Sequence, residues 1–263
     1  MKLTIKNVFF FIVGICALTL FIEHIAMFTP HDYFYEANPG ITYYVGINVV
    51  SAWADFSFFT YHTIIFFGLW CICYSISECF KIEKLNNFVR HNSIITFVFT
   101  NYLIATLLYT IFELTSGNIT FGLYALNPKA IHNFGTNILG HYGFFIIMLI
   151  TFIKVKTIGV IKNKYLVYMS CYVFIYYIYV LITGKFLYQI EWYPYPIFDT
   201  YALFGKRLEL YFEIPILLSL AIILSIGYFF LLKLIGYLKQ KNIEVKKEKM
   251  CKKQISRKRL DSF

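Results

Sequence analysis

Six apolar runs of about twenty residues divide the chain, at roughly 7–27, 58–79, 92–114, 135–155, 164–183 and 213–236. They are continuous rather than alternating, so the pattern predicts helices that are apolar on every side. At about 1.5 Å rise per residue, each is long enough to cross a hydrocarbon core of about 30 Å. Strands of a transmembrane barrel would be about half as long and would alternate. The first run follows Lys2 and Lys6 as the core of a signal peptide would. It is long, however, and has no small-residue cleavage site before Pro30, so it reads as a span. The expected fold is all-α: a polytopic membrane bundle of six transmembrane helices.

The segments between the runs are of two kinds. The N-terminus (Lys2, Lys6), the loop after the second run (Lys81, Lys84, Arg90) and the loop after the fourth (Lys154, Lys156, Lys162, Lys164) are basic. The other three segments are acidic, nearly neutral or balanced: Asp32, Glu36 and Asp55; Lys129 alone; then Glu191, Asp199 and Glu209 against Lys185, Lys206 and Arg207. The two kinds alternate without a violation. Basic loops stay on the cytoplasmic side, so both termini are expected inside, in a multi-pass protein of the cell membrane. The outer segments carry the aromatic stretches FTPHDYFYEANPGITYYVG, TSGNITFGLYALNPKAIHNFG and EWYPYPIFDTYALFGKRLELYF. Tyr and Trp of this kind rest at the headgroup level.

Composition agrees. The 263 residues are 59% hydrophobic and only 14% charged, where a soluble domain carries about a quarter charged residues. No polar stretch is long enough for a second core, so residues 1–238 form one membrane domain. The net charge of +10 is concentrated: from Lys233 onward 11 Lys or Arg stand against 3 Asp or Glu. Residues 239–263, including KKEKMCKKQISRKR, are expected to be a flexible basic tail on the cytoplasmic side, touching anionic lipid headgroups. With no folded basic domain behind that tail, nucleic acid is not an expected partner. The six cysteines suggest neither a disulfide framework nor a metal site, and no spacing of residues calls for a metal, nucleotide or other cofactor.

Polar groups inside spans are costly and are functional candidates by default. Thr60 lies at the start of the second run. Asn137 and His141 lie four apart in the fourth, which on an α-helix is one face. Both runs enter from the same side, so Thr60 and His141 sit at similar depth, within one or two turns of the outer boundary. A hydroxyl beside an imidazole is the minimum for a base-activated nucleophile. Against this stands the ordinary use of Thr in membrane helices, bonding to its own backbone or to a neighbour. His62 is two residues from Thr60, turned about 200° away, and reads as an interhelical hydrogen-bonding residue. Glu113, Glu213 and Asp199 are candidate acidic partners, with nothing in the sequence to choose among them. Pro215 suits the first turn of the sixth helix.

Taken in order, FFT at 58–60, the Asn137–His141 pair and YYIYVLITGKFLYQIEWYPYPIFD at 176–199 resemble a bacterial family of six-span membrane proteins. That family looks related to the androgen-induced and androgen-dependent TFPI-regulating proteins, membrane threonine hydrolases of fatty-acid esters of hydroxy fatty acids. The similarity covers residues from about 45 to 235, and WYPYP with its following Asp199 is its most specific part. The resemblance implies Thr60 as nucleophile and His141 as its base, supported by Asn137, with an acyl ester as substrate and membrane lipid as surroundings. The family pattern places Asn three residues after the Thr; this chain has Thr63 there. A small-solute transporter or a non-catalytic membrane-assembly protein is the alternative. Few charges lie deep in the spans, and no paired helix breaks or internal repeat stand out, which weighs against ion-coupled transport.

Overall fold

The computed structural model describes residues 4–27, 33–38, 41–45, 59–116, 135, 138–183 and 210–260, with side chains for 4–23, 59–111, 135, 138–183 and 211–241. The described chain is helical apart from one hairpin. Helix α1 is Ile5–Met27, strands β1 and β2 are Tyr33–Asn38 and Ile41–Val45, and α2 is Phe59–Phe80. A short α3, Glu83–Val89, leads to α4, Asn92–Ser116. A π-turn at Leu139–Gly143 runs into α5, Phe144–Lys154. Helices α6, Asn163–Ile182, and α7, Leu210–Leu260, complete the order. Among the described residues, five helices are long and apolar enough to cross a membrane, and the apolar segment Leu139–Lys154 is shorter.

Helices α1, α2, α4 and α6 start and stop within two residues of where the hydropathy pattern places them. Three features differ from the sequence reading. The first aromatic segment forms an antiparallel hairpin, with Tyr33 opposite Val45 and a bulge between Glu36 and Asn38. Its β-branched and aromatic residues favour strands, whereas the expected fold is all-α. The sixth helix does not end near residue 236 but runs on to Leu260. Its length of 51 residues corresponds to about 76 Å, more than twice a hydrocarbon core. Finally, Pro215 falls in the second turn of α7, not the first. It has no N–H to give the Tyr211 carbonyl. Its own carbonyl accepts Ser219 Oγ at 2.7 Å.

Small residues bring α1 and α2 together. A Cβ on Gly14 would stand 2.8 Å from the Gly68 carbonyl oxygen. Only glycine permits this approach. Below that crossing, Phe10 packs edge-on against Trp70 and Tyr74.

One end of the bundle gathers the basic segments. Ser75 Oγ donates to the Asn7 carbonyl at 2.7 Å, and Trp70 Nε1 to the Val89 carbonyl at 2.9 Å. Lys6 and Arg90 both reach the Tyr74 hydroxyl, and Arg90 pairs with Glu78 at 2.7 Å. Backbone bonds tie the loop before α4 to the loop after α5: Asn92 N–H to Ile158 O, and Ile158 N–H to Arg90 O, both 3.0 Å. Lys239 is buried here and donates to the Phe152 and Val155 carbonyls at the end of α5. A cation on the open carbonyls of a helix C-terminus satisfies acceptors that the helix itself leaves unmet.

Candidate active site

The far end of the bundle, where α2 and α7 begin and α4 finishes, holds His141. Its imidazole is 8% exposed. It lies face to face on Tyr109 of α4, with ring centroids 3.7 Å apart and planes 10° apart. The main chain around it is held from the same helix: Tyr102 Oη donates to the Gly140 carbonyl at 3.2 Å and Thr106 Oγ1 to the His141 carbonyl at 2.8 Å. The π-turn explains these bonds. Widening the turn to an i→i+5 pattern interrupts the regular ladder and offers carbonyls sideways to donors on α4. Thr110 and Tyr142 share a further hydroxyl–hydroxyl contact at 3.0 Å. Although the ring's face and main chain are fixed, His141 Nδ1 is buried without a hydrogen-bond partner among the described residues.

Thr60 stands in the first turn of α2, half-buried. It shares a helical stripe with Ile64 and Phe67. Phe67 packs on Phe144, and a Cβ on Gly140 would meet Ile64 Cδ1 at 3.5 Å. Thr60 therefore belongs to the α2 stripe that meets the π-turn and α5, one turn nearer the helix start than Ile64. Among the described residues no hydrogen bond joins Thr60 to His141.

The other sequence candidates fare differently. Asn137 and Asp199 lie outside the described residues, and Glu113 is on α4 with its side chain outside them. The four-residue spacing that was to align Asn137 with His141 assumes α-helical turns. Residues 139–143 are not α-helical. Glu213 is buried at 3% exposure, one turn before Leu217, which packs in one cluster with Phe59 and Tyr176. Thr63 donates to its own helix at the Phe59 carbonyl, 3.0 Å. His62 is the interhelical residue expected: its Nδ1 lies 3.0 Å from Tyr172 Oη of α6, and its ring is edge-on to Tyr176. Tyr109 and Thr106 were missed. A stacking partner on another span leaves no local pattern in the sequence.

The arrangement offers a buried, oriented imidazole with one ring nitrogen unengaged among the described residues, and a threonine on the α2 stripe whose Ile64 and Phe67 meet Gly140 and Phe144. No family model, no curated protein and no solved structure matches this chain.

Proposed function

We propose that this chain is a six-span protein of the cell membrane, both termini cytoplasmic, that hydrolyses lipid or fatty-acid esters, as the threonine hydrolases it resembles do. The observation that carries the reading is His141: a buried imidazole on a π-turn, its face held by Tyr109 and its Nδ1 without a partner among the described residues. π-Turns of this kind recur at functional sites, and an unpaired buried nitrogen is costly unless something uses it. Gathering of the basic segments at one end supports the topology.

Ester binding brings the Thr60 hydroxyl to the imidazole; catalytic hydrogen bonds are commonly long before substrate arrives. His141 takes the hydroxyl proton as Thr60 Oγ bonds to the ester carbonyl carbon. The C–O bond to the alcohol then breaks, and the alcohol leaves with that proton. Water, deprotonated by the same imidazole, attacks the acyl-threonine and releases the acid and free Thr60. Asn137 is assigned to the oxyanion or to the imidazole. Glu213 joins Glu113 and Asp199 as an acidic partner of the site. The basic extension of α7 contacts anionic headgroups.

The test is turnover of a p-nitrophenyl acyl ester by the protein in nanodiscs. Thr60→Ala and His141→Ala each lower kcat by about 100-fold or more, and Thr60→Ser retains activity. Equal turnover in all four proteins removes this assignment. Solute flux in proteoliposomes with no ester turnover replaces it with transport.

A further inference from the structure

The face of α4 turned toward α7 carries polar groups that the described residues leave without hydrogen bonds. Ser93, Thr96 and Thr100 fall within an arc of about 60°, along roughly 10 Å of helix. Each is at most 1% exposed, and Ser93 Oγ, Thr96 Oγ1 and Thr100 Oγ1 have no hydrogen-bond partner among the described residues. Asn101, equally buried, accepts Tyr228 Oη of α7 at 3.2 Å but leaves its Nδ2 unpaired among them. The opposing wall is α7: a Cβ on Gly236 would lie 3.7 Å from Thr96 Cγ2.

A hydroxyl in a membrane helix has a standard remedy, a bond to its own carbonyl one turn back. Thr63, Thr110, Ser170, Thr183 and Ser225 all take it. Ser93, Thr96 and Thr100 do not. Four buried polar groups without partners among the described residues, on one seam, would cost about 1–3 kcal/mol each if dry. Buried water makes about three bonds apiece to groups of this sort.

We propose that the α4–α7 seam is a water site: a short file of buried water molecules bonded to Ser93, Thr96, Thr100 and Asn101. It enters from the basic end beside Asn92, whose Oδ1 is also buried and unpaired among the described residues, and stops at the Asn101–Tyr228 bond. It is a half-channel, on a different face of α4 from His141, and does not depend on ester chemistry.

Two measurements on the full chain in nanodiscs test it. In X-ray radiolytic footprinting, water held in the seam oxidises its neighbours, so Tyr228 is labelled about fivefold faster than Tyr177, which is also buried. The excess disappears in a Thr96→Val, Thr100→Val double variant. Thr100→Val alone lowers Tm by about 2–4 °C, through loss of a water-bonded hydroxyl, and Thr100→Ser restores most of it. Equal labelling of Tyr228 and Tyr177, or a Tm unchanged or raised by Thr100→Val, means a dry seam and overturns the proposal.

Discussion

Helix α4 presents two polar faces, and they are treated oppositely. Toward the π-turn before α5, Tyr102 and Thr106 both reach main-chain carbonyls across the interface, and Tyr109 covers an imidazole. Toward α7, Ser93, Thr96 and Thr100 find no partner among the described residues. Residue type does not separate the faces, since threonine stands on both. What differs is the neighbour. The π-turn at Leu139–Gly143 makes carbonyls available, whereas the regular helix of α7 has consumed its own. In lipid, where no bulk water reaches the backbone, a polar side chain's role is set by what the facing helix has left over.

The comparison can be broken hardest at Lys239. This cation fixes α7 against the end of α5. Lys239→Met leaves two carbonyls without their donor and costs about 2–3 kcal/mol, read as a Tm loss of roughly 5–10 °C. An unchanged Tm would mean that α7 is held by apolar contact alone. A middle-sized effect belongs to the satisfied face. Thr106 donates to the His141 carbonyl. Removing that donor in Thr106→Val costs about 1–2 kcal/mol. Thr110 bonds the Thr106 carbonyl of its own helix and touches Tyr142. Losing both in Thr110→Val costs less than about 1 kcal/mol. Denaturation of the two variants side by side checks the ranking; the reverse order would deny the π-turn its role.

The smallest effect is a pH slope at the start of α4. Burial first, and the nearby Lys162 second, hold the His91 pKa below its usual value. In the neutral form, His91 Nδ1 accepts the Ser93 N–H at 3.2 Å. That N–H is one of the N-terminal donors α4 leaves open. A lowered folded-state pKa means the unfolded chain binds more protons. Stability is therefore full above the unfolded pKa of about 6.5 and declines as pH falls below it toward the folded value. His91→Gln flattens this slope in Tm measured from pH 7.5 to 5; an unaltered slope assigns it to another group.

Much of this was legible because lipid is a severe solvent. Span positions follow from run length alone, and the basic loops mark one end. His62 was readable because a helical rotation of about 200° excludes a bond to Thr60. The π-turn was not readable: Leu139–Gly143 keeps an apolar pattern compatible with an ordinary α-turn. Lys239 looked like the start of a solvated tail because sequence shows charge, not the acceptors waiting for it. The unpaired stripe was hidden too, since Ser and Thr normally bond within their own helix.

The most direct test of the central claim is to locate the covalent adduct that a fluorophosphonate leaves on the purified protein, by peptide mass spectrometry. The account predicts phosphonylation of Thr60, abolished by His141→Ala and absent in Thr60→Ala. An adduct on another residue, or labelling unchanged in both variants, would contradict it.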